Sequence, residues 1–195
     1  MYNDLFTIGK FTLHGYAVMI ALGYIIGVGS CLLRAKKEGK NQDVITDISL
    51  VALIVGFLGG KLMYVIVNFK MFLKYPLQVL GLSGFVVYGG IILGLIGILI
   101  YSKIKKVAAF DYLDYMIPHI AIVQGFGRIG CFLAGCCYGI HYTGIGAITF
   151  HDSIMAPNGV SLFPVQILLS VANFVSFGMF GHRKTTPKAK PRYYT

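Results

Sequence analysis

Residues 48–67 read ISLVALIVGFLGGKLMYVIV, a stretch whose single charged residue is Lys61. An α-helix needs about 20 mostly apolar residues to cross the hydrocarbon core of a bilayer. The stretch has that length, and its apolar residues do not alternate with polar ones as they do in the strands of a membrane β-barrel. It therefore predicts a transmembrane α-helix.

Four further apolar runs lie along the chain, at Phe11–Leu33, Val79–Tyr101, Tyr112–Leu133 and Leu162–Gly181. Over all 195 residues, 56% are hydrophobic and only 12% are charged, whereas a typical soluble domain has about 25% charged residues. We therefore expect an all-α fold, a polytopic membrane helix bundle of about five transmembrane helices that forms one domain over residues 1–182.

The basic residues predict the orientation of this bundle, because cytoplasmic loops are enriched in Lys and Arg. One side of the predicted bundle holds only Lys10, Lys70 and Lys74. The other side holds Arg34, Lys36, Lys37, Lys40, Lys103, Lys105, Lys106, Arg183, Lys184, Lys188, Lys190 and Arg192. We expect the N-terminus outside, the C-terminus inside, residues 136–161 outside, and a disordered basic cytoplasmic tail at residues 183–195.

The net charge of +10 does not indicate a nucleic-acid partner. The basic residues cluster immediately beside the apolar runs, where they set the topology of a membrane protein and face anionic lipid. The N-terminal sequence MYNDLFTIGK contains acidic as well as basic residues, and no small-residue cleavage motif follows, so we expect no cleavable signal peptide.

Arg128 is the most unusual residue of the predicted spans. An arginine within a span costs at least about 2.5 kcal/mol to insert, so it usually faces a wet cavity or a partner. Gly125, Gly127 and Gly130 flank it, and its planar guanidinium suits bidentate binding of a lipid phosphate. The alternative is that Arg128 extends to the membrane interface. Lys61 has the same two interpretations, and we expect it at a similar depth.

Three of the four cysteines lie at the end of the fourth predicted span, in the segment GFGRIGCFLAGCCYG of residues 125–139. Cys131 or Cys136 could act as a thiolate nucleophile near Arg128, or the two could form a disulfide on the oxidising side of the membrane. Together with Cys137 and His141 they could bind a metal, but the spacing matches no standard zinc pattern, so we expect no metal. They could also pack as small apolar residues.

Glycines within the spans allow close helix packing, and beside polar residues they can instead make room for a ligand. Gly89 and Gly90, next to Tyr88, are candidates for the second role. Tyr16 and Tyr88 are otherwise typical of the aromatic belt at a membrane interface.

Five motifs in order resemble the bacterial prolipoprotein diacylglyceryl transferase family. They are LHGYAVMIALGY at residues 13–24, GFLGGKLMYVIVN at 56–68, GFVVYGGIILG at 84–94, DYLDYMIPHIAIVQGFGRIGCFLAGCCYG at 111–139, and FPVQ at 163–166. The resemblance implies transfer of a diacylglyceryl group from phosphatidylglycerol to the cysteine thiol of a lipoprotein precursor, at the outer face of the bacterial cytoplasmic (inner) membrane.

The resemblance also implies roles for individual residues. Tyr16 takes the position of the family's first-span tyrosine, Arg128 that of its phosphate-contacting arginine, and Gly139 that of the glycine closing the signature. Gln166 lies in the proline–glutamine motif. The residues expected to contact substrate are Arg128, Lys61, Gly89, Gly90, Gly139 and Gln166. Tyr88, Tyr16, Cys131 and Cys136 are the candidates that assist deprotonation of the incoming thiol.

The sequence departs from the family pattern at several of these positions. Tyr88 stands where the family has histidine, Cys131 and Ala134 replace asparagines, and Cys136 replaces an acid. The family continues into a further region with a second arginine, so we expect Lys61 or another subunit of an oligomer to replace that contact, unless it is absent. No cofactor is expected. The alternatives are a membrane thiol–disulfide oxidoreductase and a non-catalytic lipid-binding relative.

Overall fold

The computed structural model describes residues 4–8, 11–81, 84–153 and 155–181, and this part of the chain is mostly helical. The helices are α1 (Gly15–Glu38), α2 (Gln42–Val67), α3 (Phe69–Lys74), α4 (Pro76–Leu80), α5 (Val87–Lys105), α6 (Ala109–Ala134) and α7 (Val165–Phe180). Two short antiparallel hairpins accompany them, β1 (Asp4–Ile8) with β2 (Phe11–His14), and β3 (Ile148–Thr149) with β4 (Ser161–Leu162). The predicted tail at residues 183–195 lies outside the described residues.

Four of the described helices, α1, α2, α5 and α6, are long and apolar enough to cross a membrane. Only 11% to 22% of the residues in their most apolar windows are buried inside the protein. Their apolar side chains therefore face outward, which is favourable in hydrocarbon and costly in water. The predicted helical membrane bundle is confirmed, and the chain is a multi-pass membrane protein.

The fifth predicted run contains the shorter helix α7, which has 16 residues. At 1.5 Å per residue this is a length of about 24 Å. The helix begins late because Ser161 and Leu162 pair with β3 instead, and Pro164 is the residue before its first turn.

Two predicted boundaries were wrong. The first span was expected from Phe11, but residues 11–14 form strand β2 and helix α1 starts at Gly15. The third was expected from Val79, but α4 ends at Leu80 and α5 starts at Val87. Gly84 between them has φ +85°, a left-handed conformation that interrupts a helix and that glycine adopts without steric cost.

The chain divides into two compact units. The first contains α1 up to Arg34, α6 from Asp114, and α7, and the second contains residues 35–113 with α2 to α5. The single bundle over residues 1–182 remains a prediction.

The second unit is organised by close packing of α2 on α5. A Cβ atom added at Gly59 would lie 2.7 Å from the Gly89 carbonyl oxygen, and one added at Gly90 would lie 2.8 Å from that of Gly56. These backbones approach so closely that a side chain does not fit, as in small-residue packing between transmembrane helices. At the far end of the pair, the Tyr101 hydroxyl donates to Asp47 Oδ2 at 2.6 Å.

In the first unit, α6 packs on α1 and α7 through side chains inserted at glycines. A Cβ at Gly23 would lie 2.7 Å from the Phe126 Cβ, and one at Gly125 would lie 2.6 Å from the Phe174 ring. Polar contacts join the same helices. Ser30 Oγ and His119 Nδ1 are 2.9 Å apart, and Ser170 Oγ donates to the Gly125 carbonyl at 2.9 Å.

Candidate active site

The turn that ends α6 brings Cys136 close to Cys131, which lies in the last turns of the helix. The Gly135 N–H donates to the Phe132 carbonyl at 3.2 Å and the Cys136 N–H donates to the Cys131 carbonyl at 3.0 Å. This hydrogen-bond pair defines a Schellman motif, in which a left-handed residue reverses the chain after the last helical turn. Gly135, with φ +66°, is that residue. The motif places Cys136 over Cys131 although five positions separate them.

Cys137 completes the cluster, because it also has a positive φ, of +55°. The Sγ atoms of Cys131, Cys136 and Cys137 all lie within 4.8 Å of one another. All three are free thiols: Cys131 is buried, Cys136 is half-buried and Cys137 is exposed. We call these three residues the cysteine turn. From the sequence, Cys137 was named only in a possible metal set with Cys131, Cys136 and His141, and it was not among the catalytic candidates. The glycine before the Cys–Cys pair was the feature that could have included it.

Arg128 lies one helical turn before Cys131, on the same face of α6. Both Cys131 and the Tyr16 hydroxyl are within electrostatic range of its guanidinium. No hydrogen bond or ion pair to this guanidinium is found among the described residues. At the adjacent Gly127, an added Cβ would meet nothing within 4 Å. The half-buried arginine therefore has donors available for a ligand, and its contact with a lipid phosphate remains a prediction.

Tyr16, in the first turn of α1, is placed beside this arginine by the close approach of α1 to α6. A Cβ at Gly130 would lie 3.1 Å from the Tyr16 ring. The tyrosine is 41% exposed, and its hydroxyl has Arg128 and all three thiols of the cysteine turn as electrostatic neighbours. The structure thus groups Tyr16, Arg128, Cys131 and Cys136, four of the five residues predicted as catalytic.

Gln166, in the first turn of α7, is attached to the same turn. Its side chain is 1% exposed, and its Nε2 donates to the Cys136 carbonyl at 2.9 Å. Since a carbonyl oxygen can only accept a hydrogen bond, the side-chain nitrogen of Gln166 must face it. The side-chain oxygen Oε1 therefore points away from the Cys136 carbonyl. This buried oxygen has no hydrogen-bond partner among the described residues. A buried acceptor of this kind is costly until a donor meets it.

Gly139 has a packing role in the described structure. A Cβ there would lie 2.5 Å from the Phe163 carbonyl oxygen and 3.0 Å from Val165 Cγ2. The position therefore admits only glycine if the chain after the cysteine turn is to pass close to the start of α7.

Burial raises the pKa of the Cys136 thiol, and the neighbouring Cys131 raises it further. The nucleophilic form of cysteine is the thiolate. With the pKa raised, Cys136 is protonated near neutral pH, which disfavours it as a free nucleophile. The cysteine turn is also the one group of three metal-ligating side chains found in the described part of the chain.

The other predicted site residues belong to the second unit. Lys61 donates to the backbone carbonyls of Gly81 and Gly84, the latter at 3.4 Å, so it holds the connection between α4 and α5. Gly89 faces Gly59 across the α2–α5 contact, which accounts for it by helix packing. Tyr88 is 76% exposed. The predicted substrate contacts of Lys61, Gly89 and Gly90 and the catalytic role of Tyr88 remain predictions.

The sequence model of the family described as prolipoprotein diacylglyceryl transferase matches residues 3–193. Individual relatives have the same description. A protein of Clostridium tetani named phosphatidylglycerol–prolipoprotein diacylglyceryl transferase is 43% identical over 173 residues, which are 88% of this chain and 69% of the relative.

Two further relatives extend the comparison. Phosphatidylglycerol–prolipoprotein diacylglyceryl transferase 2 of Clostridium perfringens is 39% identical, over 86% of this chain and 66% of its own length. A Dehalococcoides mccartyi protein named phosphatidylglycerol–prolipoprotein diacylglyceryl transferase is 30% identical, over 93% of this chain and 72% of its own length. The chain thus spans roughly two thirds to three quarters of these relatives.

Proposed function

Because the chain belongs to the prolipoprotein diacylglyceryl transferase family, we propose that it transfers a diacylglyceryl group from phosphatidylglycerol to the cysteine thiol of a lipoprotein precursor. The names of its relatives support this donor and this acceptor. The comparisons do not favour the oxidoreductase or the non-catalytic alternative. The reaction takes place at the outer face of the bacterial cytoplasmic membrane, with the N-terminus outside.

The observation that carries the proposal is an arginine, Arg128, that has no hydrogen-bond partner among the described residues and lies beside three thiols. In the transfer, a bond forms between the acceptor sulfur and the glyceryl carbon, and the bond from that carbon to the phosphate oxygen breaks. The electron pair of the broken bond leaves with glycerol phosphate. Arg128 binds this phosphate bidentately, and the charge that develops on the leaving group strengthens the contact in the transition state.

Tyr16 and Gln166 complete the donor site. The Tyr16 hydroxyl lies near both Arg128 and the thiols, so it orients the phosphate and relays the proton of the acceptor thiol to solvent. Gln166 Oε1, the buried acceptor without a described partner, receives a hydrogen bond from a glycerol hydroxyl of the lipid. Such a bond offsets the cost of burying the oxygen.

The test uses full-length protein in phosphatidylglycerol nanodiscs with a cysteine-containing lipoprotein-precursor peptide, and mass spectrometry of the thioether product. We expect product with the wild type, none when serine replaces the peptide cysteine, and a loss of about 10²- to 10³-fold in kcat/KM with Arg128→Ala. Arg128→Lys keeps the charge without the planar pair of donors and should fall between the two.

Thermal unfolding of each variant controls for folding. Absence of product from the folded wild type would refute the proposed function, and equal rates for the wild type and Arg128→Ala would refute the role of Arg128.

A further inference from the structure

The cysteine turn brings three thiols nearly as close together in space as the ligands of a metal site, which a simple thiol pair does not do. A tetrahedral zinc site with bonds of about 2.3 Å to sulfur has sulfurs about 3.8 Å apart. The three Sγ atoms already lie within 4.8 Å of one another. A contraction of about 1 Å, within the reach of χ1 rotation, would bring all three to bonding distance.

The backbone holds this arrangement before any ligand binds. The Schellman hydrogen bonds fix Cys136 over Cys131, and the left-handed backbone at Cys137 turns the chain again directly after it. Gln166 ties the Cys136 carbonyl to α7. Preorganisation by groups outside the coordination sphere is typical of protein metal sites. A disulfide would join two of these thiols and would not account for the position of the third beside them.

We propose that Cys131, Cys136 and Cys137 form a three-thiolate zinc site whose open fourth position receives the thiol of the acceptor cysteine. Zinc sites with three protein ligands keep the fourth position for water or substrate. Exposed Cys137 is on the accessible side of the cluster. Thiolate ligands suit both Zn²⁺ and Cu⁺, and the tetrahedral geometry of Zn²⁺ is the one that leaves a fourth position for the substrate thiol.

This inference rests on the proposed function for the identity of the fourth ligand, whereas the three-thiolate site itself does not. The acceptor thiol releases its proton to solvent as its sulfur binds zinc. The bound thiolate then forms the bond to the glyceryl carbon, and the electron pair of the broken carbon–oxygen bond leaves with glycerol phosphate. No oxidation state changes. The positive charge of Arg128 offsets the net negative charge of the zinc–thiolate group.

Co²⁺ tests the site without reference to activity, since thiolate-bound Co²⁺ gives a charge-transfer band and tetrahedral Co²⁺ gives intense visible bands. Reduced, chelator-treated full-length protein in nanodiscs should bind one equivalent with both features. Replacing Cys131, Cys136 or Cys137 by serine should weaken binding by at least about 10-fold, the lower end of what even an outer group contributes. Cys31→Ser is the matched control and should leave binding unchanged.

Exposed Cys137 gives a variant that is expected to fold normally. The cysteine peptide should shift the visible Co²⁺ bands, and its serine analogue should not. A missing charge-transfer band, or binding unaffected by Cys137→Ser, overturns the site. If the peptide leaves the Co²⁺ bands unchanged, the open fourth position is overturned.

Activity separates this inference from the proposed function. Full transfer by verified metal-free protein would refute the role of zinc and leave the transferase assignment intact. Conversely, a Co²⁺ site with the expected bands in a protein that makes no thioether would support the metal site and refute the proposed transfer.

Discussion

The helix pair α2–α5 and the helix group α1–α6–α7 are both packed through glycine, yet they use it differently. In the pair, glycine lies against glycine across the two helices. A Cβ atom added at Gly59 would be 2.7 Å from the Gly89 carbonyl oxygen. In the group, glycines receive aromatic side chains, such as Phe174 at Gly125 and Tyr16 at Gly130.

The difference explains where chemistry is possible. Where backbone lies against backbone, as at Gly59 and Gly89, a side chain does not fit between the helices, and close helix packing accounts for these glycines. In the group, polar side chains such as Ser30, His119 and Ser170 also join the helices. Arg128 and the cysteine turn lie in the second kind of region. Glycine count and spacing are therefore a poor guide to function without the partner surface.

The largest stability effect should come from adding a methyl group at the backbone contact between α2 and α5. Gly89→Ala would place its Cβ 2.6 Å from the Gly59 carbonyl oxygen. We expect a loss of about 1–3 kcal/mol in the free energy of unfolding, as for overpacked cores, measured by SDS titration in mixed micelles. Gly29→Ala, where a Cβ meets nothing within 4 Å, is the control. Equal effects of the two would contradict the packing distinction.

The next effect concerns substrate binding in the other region. Gln166→Leu keeps the side-chain bulk and removes both the donor to the Cys136 carbonyl and the buried oxygen without a described partner. A hydrogen bond contributes about 0.5–1.5 kcal/mol net, so we expect the KM for phosphatidylglycerol to rise by up to about tenfold. If the KM stays constant while only stability falls, Gln166 has no contact with the lipid.

The smallest effect should come from one polar contact within the helix group. Ser170→Ala removes the hydrogen bond from Ser170 Oγ to the Gly125 carbonyl. Side-chain hydrogen bonds between membrane helices average about 0.6 kcal/mol, and we expect a loss of this size in the same SDS titration. Ser176→Ala is matched, since Ser176 bonds only to Ala172 of its own helix at 2.8 Å. A larger loss at Ser176 would show that the interhelical contact is unimportant.

Much of the fold follows from local sequence, and the misplaced boundaries show where it does not. Apolar length alone predicted the helices that contain Ala17, Leu53, Ile92 and Ile122. It extended the first helix over Phe11 because an apolar residue fits a strand equally well, and here the pairing of Phe11 with Ile8 decides the structure. It extended the third helix through Gly84. Gly84 has a left-handed backbone conformation, which hydropathy cannot indicate.

The sequence by itself determined that the protein lies in a membrane, that it is helical, and which family it belongs to. These follow from properties that each residue contributes locally, namely transfer free energy, helix length and motif order. Only the tertiary structure decided that Cys137 joins Cys131 and Cys136, that Gln166 anchors their turn, and that Gly89 faces a helix. Those facts depend on backbone reversals at Gly135 and Cys137 and on contacts between distant segments, such as Gln166 with Cys136. Such contacts arise when the chain folds back on itself, and residue type alone does not encode them.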